Sequence, residues 1–298
     1  MLDERAGLAG KTAVILGGGD GIGRHVSLAL AEAGIDLAIC DNATGPLGET
    51  EQQIKAMGRK VLAMEADVLD EAAQERFYDA VAAQCDRLDI VIHMAGSVRR
   101  GFFVESTKES NARDIRYNWG YMLDSVRRAA PLIRKGGRGG SIISFTTIEA
   151  HRGAAGFATY AGAKAAATNW TKAVAVELAH EGIRMNTIAP DTTPSANPRK
   201  SLGQETLDAF AKIPPEVAAE AYKMYIPQKK SPSRDDLANA VLFLASDLSK
   251  SITGTTLHVD GGTSASAGFI DWPFGDGWLP APLAGTMSRL FRDGPQPA

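Results

Sequence analysis

A tyrosine and a lysine lie four residues apart in the stretch YAGAK, as Tyr160 and Lys164, and a threonine, Thr147, precedes the tyrosine by thirteen residues. On a helix, two residues at this spacing share one face, so the ammonium group would lie beside the phenol. A free tyrosine has a pKa of about 10, and a positive charge held nearby stabilises its phenolate form. The pair therefore suits the removal of a proton from an alcohol while hydride leaves the adjacent carbon. The hydroxyl of Thr147 would hold the substrate oxygen.

The same stretch also has a simpler interpretation, in which a solvent-exposed tyrosine and lysine happen to share an alanine-rich helix. Thr147 offers the same kind of hydroxyl as a serine, but its extra methyl group restricts the rotamer. Its neighbour Thr146 should point to the opposite side of the strand, because side chains alternate along a strand. The elements around these residues decide between a chemical site and an ordinary helix.

Short apolar runs alternate with helical patterns along most of the chain. This alternation predicts a parallel sheet covered by helices on both faces. Two segments lie outside it, residues 191–232, with a helical pattern at 204–225, and residues 263–298. We expect one domain over residues 1–264, with a substrate lid at 191–232, and a C-terminal extension at 265–298. The predicted strands are 11–16, 35–40, 60–66, 88–96, 140–146, 183–190 and 255–260, and the predicted helices are 21–34, 46–57, 71–85, 115–135, 158–181 and 235–249.

A glycine-rich turn, LGGGDGIGR, follows the first strand and opens the first helix. Its spacing is Gly17-x3-Gly21-x-Gly23, which fits neither G-x-G-x-x-G nor a P-loop, because Arg24 stands where a P-loop has lysine. A helix N-terminus presents free backbone N–H groups and the positive end of the helix dipole. The turn is therefore suited to a pyrophosphate, and the simpler alternative is a tight connection.

An acidic residue, Asp41, ends the second strand. In a dinucleotide-binding fold, a carboxylate at this place accepts hydrogen bonds from the adenosine ribose, and it would repel a 2′-phosphate. Asp20, inside the glycine turn, adds a second negative charge, and no basic residue accompanies Asp41 or Asn42. These charges favour NAD over NADP, although Arg24 lies close enough in sequence to complicate the inference.

In their order, these features resemble the classical short-chain dehydrogenase/reductase family from about residue 8 to residue 264. Each motif is weak by itself, but seven motifs in the family's order and at its intervals are specific. The motifs are Gly17-x3-Gly21-Ile22-Gly23, Asp67-Val68, Met94-Ala95-Gly96, Asn118 within RYNWGYM, Tyr160-x3-Lys164, RMNTIAP at 184–190, and the series FLASD, ITG and VDGG between 243 and 262.

The resemblance implies a Rossmann-type, doubly wound α/β fold with a parallel seven-stranded sheet and a bound nicotinamide cofactor. It implies that Lys164 also holds the nicotinamide ribose and that Asn118 supports a water molecule in a proton relay. The implied catalytic residues are Asn118, Thr147, Tyr160 and Lys164. The implied cofactor-binding residues are Gly17, Asp20, Gly21, Ile22, Gly23, Asp41, Asp67, Val68, Ala95, Gly96, Tyr160, Lys164, Pro190 and Thr193.

The sequence departs from the family in three places. Thr147 stands at the position of the usual catalytic serine, and His93-Met94 replaces the first two residues of the usual Asn-Asn-Ala-Gly. The usual Pro-Gly after the sixth strand reads Pro190-Asp191. Because of the last change, two hydroxyls qualify for the contact with nicotinamide, those of Thr193 and Ser195.

The favoured function is the NAD-dependent interconversion of a secondary alcohol and a ketone, on an apolar or cyclic substrate. The segments that the family places around the substrate carry Phe102, Phe103, Phe157, Met224 and Tyr225, and the basic residues Arg99, Arg100, His151 and Arg152, which could meet an anionic group. One alternative is a reductase of 3-oxoacyl thioesters. Asp41 and Asp20 weigh against it, because such reductions commonly use NADPH. The other alternative is a noncatalytic regulatory protein that binds the cofactor.

The composition indicates a cytoplasmic protein that binds neither nucleic acid nor membranes. The formal net charge is −3 without a basic stripe, and no apolar stretch approaches the roughly 18 residues of a membrane span. The two cysteines, Cys40 and Cys85, fit a reducing compartment, and no His/Cys/Asp cluster suggests a metal. The resemblance implies a homo-oligomer, a tetramer or a dimer. We expect the tail, which carries Trp272 and Trp278, to pack over the substrate pocket or a neighbouring subunit.

Overall fold

The computed structural model describes residues 2–191, 193, 208, 211–272 and 277–281. Seven parallel strands form one sheet in the order β3-β2-β1-β4-β5-β6-β7, and two further strands pair as an antiparallel hairpin. The strands are β1 Thr12–Leu16, β2 Asp36–Asp41, β3 Val61–Glu65, β4 Ile90–His93, β5 Gly140–Phe145, β6 Ile183–Pro190, β7 Thr256–Val259, β8 Phe269–Trp272 and β9 Gly277–Pro280.

Helices connect the strands of the main sheet. The α-helices of the described residues are α1 Leu2–Ala6, α2 Gly21–Glu32, α3 Thr44–Ala56, α4 Glu71–Gln84, α5 Lys108–Ile115, α6 Tyr121–Gly136, α7 Ala158–Leu178, α8 Pro215–Tyr225, α9 Arg234–Ala245 and α10 Thr263–Ser266. A π-helical turn, Arg116–Gly120, joins α5 to α6, and 3-10 turns lie at Phe103–Glu105, Ile148–His151, Ala179–Glu181 and Asp247–Ser249.

Strand β1 shows why the apolar runs have no polar face. Ala13 and Ile15 point into a core formed with α2, α3 and α9, whereas Val14 and Leu16 point into a second core formed with α4, α6 and α7. Because successive side chains of a strand point to opposite faces, both sets must be apolar when helices cover both faces. The predicted doubly wound α/β fold is therefore confirmed.

The order of the strands reverses between β1 and β4, which are neighbours in the sheet although two strands separate them in sequence. In a doubly wound sheet, ligands bind in the crevice at the carboxyl ends of the strands beside such a switch point. The glycine turn after β1 and the segment after β4 both lie at this edge. The fold thus brings together segments that are distant in sequence.

All seven strands of the main sheet were predicted, with differences at their ends. The strand predicted at 88–96 stops at His93, because the N–H groups of Met94 and Ala95 both donate to the carbonyl oxygen of Leu16, at 2.9 Å each. The helix predicted at 115–135 is preceded by α5 and interrupted at its start by the π-helical turn. Neither feature has a strong apolar period, so the sequence did not indicate them.

The two segments outside the alternation contain defined elements. Of the helical pattern predicted at 204–225, Pro215–Tyr225 is helical, whereas residues 204–207, 209 and 210 lie outside the described residues. In the C-terminal extension, β8 and β9 form a hairpin whose first strand packs against α8. The division into a domain, a lid and an extension remains a prediction. None of the described helices combines the length and the apolar character needed to cross a membrane.

Candidate active site

The side-chain hydroxyl of Thr147 lies beside the phenol of Tyr160, where it favours the phenolate. Thr147 lies two residues after the end of β5, immediately before the 3-10 turn at Ile148–His151, and is 8 % exposed, and Tyr160 lies in the first turn of α7. The neighbouring Thr146 points elsewhere, since its hydroxyl donates to the carbonyl oxygen of Ile188 at 3.2 Å. The alternation along the strand thus selects Thr147 as the hydroxyl beside the phenol.

Lys164 lies one turn along α7 from Tyr160 and is 4 % exposed. Its Nζ atom donates to the carbonyl oxygen of Phe145, at the end of β5, at 2.8 Å. Burial lowers the pKa of Lys164 to about 7, so its ammonium group is close to half-protonated at neutral pH. The simpler interpretation, a solvent-exposed tyrosine and lysine, does not describe this geometry.

The pKa of Tyr160 differs from what the sequence alone suggested. Burial raises it to about 12, the hydrogen bond from Thr147 opposes this rise, and the charge of Glu149 adds to it. Loss of solvation penalises the phenolate more than the nearby groups of the chain stabilise it. The chain by itself therefore does not lower the pKa of this phenol.

Asn118 lies in the π-helical turn, fully buried. Its side-chain amide donates to the carbonyl oxygens of Ser97 and Asp114, at 2.9 Å each, and its Oδ1 atom accepts from the N–H of Ser97 at 3.2 Å. The two hydrogen bonds with Ser97 join the π-helical turn to the segment after β4. A Cβ atom on Gly96 would lie 3.2 Å from Asn118 Oδ1 and 3.4 Å from Lys164 Nζ, so these three residues converge.

The glycine turn is shaped by contacts that leave no room for side chains. Gly17 has a φ of +86°, and a Cβ atom there would lie 2.7 Å from the backbone nitrogen of Ala95. A Cβ atom on Gly23 would overlap the carbonyl oxygen of Gly17. Since α2 begins at Gly21, its first backbone N–H groups face the same edge of the sheet. The turn thus fits a pyrophosphate without any side-chain change.

The two acidic residues near the turn are held by backbone groups. Asp41 accepts hydrogen bonds from the N–H groups of Gly19 and Ala43, at 3.0 Å each, and Asp20 caps α2 by accepting from the N–H of Gly21 at 2.7 Å. Arg24 forms an ion pair with Glu49 at 2.8 Å. The charge of Arg24 is therefore directed to α3. Its nearness in sequence does not complicate the inference from Asp41 and Asp20.

A cavity of about 560 Å³ lies at this edge of the sheet. Its size is that of an ordinary cofactor site. Thr147 is not part of its lining, and neither is Thr193, whose hydroxyl donates to the carbonyl oxygen of Asp191 at 3.1 Å. Ser195 lies outside the described residues. The predicted site residues that line the cavity are Gly17, Asp20, Gly21, Ile22, Gly23, Asp41, Asp67, Val68, Ala95, Gly96, Asn118, Tyr160, Lys164 and Pro190.

Arg113 and Tyr117, which the sequence analysis did not single out, also line the cavity. The guanidinium carbon of Arg113 lies 5.7 Å from the centre of the Tyr117 ring. Burial raises the pKa of Tyr117, and the charges of Asp67 and Asp41 raise it further, so the ring lies towards the acidic part of the cavity. The available signal was their i, i+4 spacing immediately before Asn118.

A second cavity of about 310 Å³ also includes Tyr160 in its lining. The aromatic side chains around it are Phe102, Phe103 and Phe157, and Arg99 and Arg100 line it as well. The N–H of Gly101 donates to the carbonyl oxygen of Gly156 at 2.9 Å, which joins the segment after β4 to the segment before α7. This cavity therefore opens on the side of the phenol where the sequence predicted the substrate.

Three of the four basic residues suggested for an anionic group contact other side chains. Arg99 forms an ion pair with Asp114 at 3.1 Å. Arg152 donates twice to Glu149, at 3.0 and 2.7 Å. The ring of His151 contacts that of His258 in a tilted arrangement, with centroids 4.8 Å apart.

His93, one of the departures from the family's sequence, is buried in a polar network. Its Nδ1 atom lies 2.8 Å from the hydroxyl of Ser144 and its Nε2 atom 2.7 Å from that of Ser125, which in turn lies 2.6 Å from the hydroxyl of Tyr78. Burial lowers the pKa of His93 to about 3, and the charge of Lys164 contributes. The imidazole is therefore neutral at physiological pH. Among the described residues, no cluster of three or more His, Cys, Asp or Glu is placed to hold a metal ion.

Comparisons with known proteins agree with this geometry. Residues 17–264 match a family model described as Enoyl-(Acyl carrier protein) reductase. The 3-oxoacyl-[acyl-carrier-protein] reductase FabG of Staphylococcus aureus is 32 % identical over 256 residues, covering 85 % of this chain and 97 % of that protein. The 2,5-dichloro-2,5-cyclohexadiene-1,4-diol dehydrogenase LinX of Sphingobium indicum is 32 % identical over 257 residues, covering 86 % and 97 %.

Among solved structures, carveol dehydrogenase from Mycobacterium avium in complex with NAD superposes with a TM-score of 0.78 at 28 % identity, covering 86 % of this chain and 98 % of that one. Strands β2 to β7, the glycines of the turn and the Tyr160–Lys164 pair all lie within the residues that the family model matches. The chain therefore belongs to the short-chain dehydrogenase/reductase family of oxidoreductases.

Proposed function

We propose that this chain is an NAD-dependent alcohol dehydrogenase or ketoreductase, which interconverts a secondary alcohol and a ketone. The observation that carries the proposal is the placement of the Thr147 hydroxyl beside the phenol of Tyr160, one helical turn from the buried Lys164. The family is established for the chain, whereas the cofactor, the substrate and the roles of individual residues belong to the proposal.

Each residue of the site has a defined task in this proposal. Tyr160 takes the proton from the alcohol at its phenolic oxygen, or gives it to the ketone, and Thr147 orients the substrate oxygen. Lys164, with its pKa near 7, contributes positive charge beside the phenol and holds the ribose. Asn118 supports the path by which the proton leaves. When bound, the nicotinamide ring accepts or supplies the hydride.

The proposal of NAD over NADP rests on the charges at the adenosine end of the cavity. The carboxylate of Asp41 is fixed at the end of β2 by two backbone N–H groups, so it cannot easily move away from a 2′-phosphate. Arg24, the basic residue nearest in sequence, is paired with Glu49. The similar carveol dehydrogenase was crystallised with NAD, which is consistent with the same choice.

The proposal of an apolar or cyclic substrate rests on the second cavity. Its volume of about 310 Å³ and the rings of Phe102, Phe103 and Phe157 suit a hydrocarbon body next to the phenol of Tyr160. The name of the similar LinX protein gives a cyclic diol as its substrate. Of the other suggested apolar residues, Tyr225 contacts Arg152, and Met224 lies one position earlier in α8.

Two alternatives remain. The first is a reductase of 3-oxoacyl thioesters, favoured by the 32 % identity to FabG and opposed by the position of Asp41. The second is a noncatalytic protein that binds the cofactor, which the intact arrangement of Asn118, Tyr160 and Lys164 opposes.

A screen of secondary alcohols, cyclic ketones and a 3-oxoacyl thioester, each with NAD(H) and with NADP(H), separates the three functions. The proposal predicts turnover of cyclic alcohols or ketones with NAD(H). Preferential reduction of the thioester with NADPH would support the first alternative. Tight binding of NADH without turnover across the panel would support the second.

We also propose that the protein is a cytoplasmic homo-oligomer, a tetramer or a dimer. The outer face of α7 is rich in small residues and exposes Val176 to 78 %, which suits close packing against a second helix. Sedimentation of the purified protein tests the assembly, because a monomer at micromolar concentration would contradict it.

A further inference from the structure

The C-terminal hairpin extends beyond residues 17–264, the part of the chain that the family model matches. Its strands β8 and β9 pair from Phe269 with Pro280 to Trp272 with Gly277. Strand β8 packs against α8, the helix of the predicted lid. The hairpin thus lies outside the residues that the family model matches and against a helix of the segment expected to cover the substrate.

The side chain of Lys229 joins the hairpin to the end of α8. Its ammonium group forms an ion pair with Asp271 of β8 and lies 5.2 Å from the centre of the Trp278 ring of β9. The same nitrogen donates to the carbonyl oxygen of Lys223, in the last turn of α8, at 3.0 Å. One cation therefore contacts both strands of the hairpin and the carboxyl end of the helix.

The backbone at Lys229 is in a conformation that residues with side chains seldom adopt. Its φ is +64°, following a turn in which the N–H of Lys229 donates to the carbonyl oxygen of Ile226 at 2.8 Å. Such a conformation costs free energy and is retained where the surroundings hold it. A glycine would adopt it without this cost. The three contacts of the side chain explain why a lysine can occupy the position.

The other side of the same helix end reaches the catalytic segment. The phenol oxygen of Tyr225, the last residue of α8, accepts a hydrogen bond from Arg152 at 2.8 Å. Arg152 is held by Glu149, whose backbone N–H donates to the hydroxyl of Thr147 at 3.3 Å. A continuous series of contacts thus leads from Lys229 to the residue whose hydroxyl lies beside the phenol of Tyr160.

We propose that Lys229 is a positioning residue for the substrate side of this site. By tying the hairpin to the carboxyl end of α8, it holds Tyr225 against Arg152 and thereby steadies the segment that carries Glu149 and Thr147. The expected change in KM rests on the proposed alcohol oxidation. The positioning role itself does not depend on it. Lys229 lines neither cavity, so its loss should change how well the segment from Thr147 to Arg152 is held rather than the chemistry itself.

Kinetics of four variants test this proposal, using the best alcohol of the screen. Lys229→Ala and Lys229→Gly should raise KM for the alcohol about three- to tenfold, because a smaller fraction of the protein is in the binding-competent arrangement. Both should leave kcat within about twofold and the affinity for NADH unchanged. Lys229→Arg should have the KM of the unchanged protein, because a guanidinium group can keep the ion pair with Asp271 and the contact with the Trp278 ring. Lys229→Gly loses the side-chain contacts but carries no strain at the positive φ. Comparing it with Lys229→Ala therefore separates the effect of the contacts from that of backbone strain.

Lys223→Ala is the matched control. The Lys223 side chain lies on the same helix and forms an ion pair only with Glu220, at 2.6 Å, so its removal leaves the hairpin contacts intact. It should have the KM of the unchanged protein. An unchanged KM in both Lys229→Ala and Lys229→Gly, or an equal rise in Lys223→Ala, would overturn the proposal.

Hydrogen–deuterium exchange distinguishes failure of this inference from failure of the proposed function. In Lys229→Ala, the peptides that cover residues 215–225 and 269–272 should exchange faster, whereas those of β1 and β5 should not change. This result is expected even if no alcohol is turned over. Unchanged exchange in both peptides would contradict the positioning role, whatever the activity of the protein.

Discussion

The hydroxyl of Thr147 lies beside the phenol of Tyr160, at a position where the family usually has serine, and it opposes the rise that burial causes in the pKa of the phenol. The same hydroxyl accepts the N–H of Glu149 at 3.3 Å and so begins the 3-10 turn at Ile148–His151. Its rotamer is therefore fixed from two sides, and the methyl group adds to that restriction. A substrate oxygen placed beside Tyr160 would meet a hydroxyl that is already oriented.

Replacing Thr147 by valine tests the role of this hydroxyl, since valine keeps the shape and removes the donor. We expect kcat for the best alcohol to fall by at least about a hundredfold, because the substrate oxygen loses its positioning hydrogen bond. The dissociation constant for NADH should not change, because Thr147 does not line the cofactor cavity. Thr147→Ser is the control and should keep kcat within about threefold. Full activity of the valine variant would remove Thr147 from the mechanism.

Replacing Asp41 by asparagine tests the origin of cofactor preference. The amide oxygen can still accept a hydrogen bond from a backbone N–H group, but the negative charge is gone. We expect the ratio of kcat/KM for NAD to that for NADP to fall by about tenfold, as the repulsion of a 2′-phosphate is lost. Steady-state kinetics with both cofactors measure the ratio. A ratio equal to that of the unchanged protein would show that Asp41 does not set the preference.

Replacing Gly23 by alanine tests whether the glycine turn holds the cofactor. The new methyl group would overlap the carbonyl oxygen of Gly17 and must displace the turn. We expect the dissociation constant for NADH, measured by calorimetry, to rise by more than about tenfold. Gly45→Ala, in α3, is the control, because nothing lies within 4 Å of its Cβ position. Equal affinities of the two variants would exclude the turn from the cofactor site.

The buried imidazole of His93 predicts a pH dependence of stability. The pKa of His93 is about 3 in the folded chain and near 6.5 when unfolded. Between these values the unfolded chain binds a proton that the folded chain does not. The stabilisation from neutral burial is thus complete above pH 6.5 and is lost as pH falls towards 3. As pH falls through this range, the free energy of unfolding should decrease by up to about 1.4 kcal/mol per pH unit more than in a chain without this imidazole.

His93→Asn supplies that comparison. The variant will be less stable at pH 7, because Ser144 and Ser125 lose their partner, but the difference from the unchanged protein should shrink as pH falls from 6.5 to 5. Denaturant unfolding at several pH values measures it. A difference that stays constant across this range would contradict the burial of a neutral His93.

Periodicity predicted the sheet because burial on both faces requires uninterrupted apolar strands, as Ala13 to Leu16 show. Motif spacing predicted the cavity lining because a switch point gathers the ends of β1, β2 and β4. Arg113, Tyr117 and the hairpin were not indicated, because their places depend on contacts between distant segments. The pKa of Tyr160 was also beyond the sequence, since it reflects burial that only the folded chain produces.

The central claim is that Tyr160 transfers the proton while an NAD-dependent hydride transfer occurs. The most direct measurement is the rate of NADH formation from a cyclic secondary alcohol by the unchanged protein and by Tyr160→Phe, with NADH affinity measured for both. The account predicts turnover by the unchanged protein, a loss of about a thousandfold in the phenylalanine variant, and equal affinities for NADH. Equal rates for the two proteins, or no turnover by the unchanged protein with any alcohol or ketone of the screen, would contradict it.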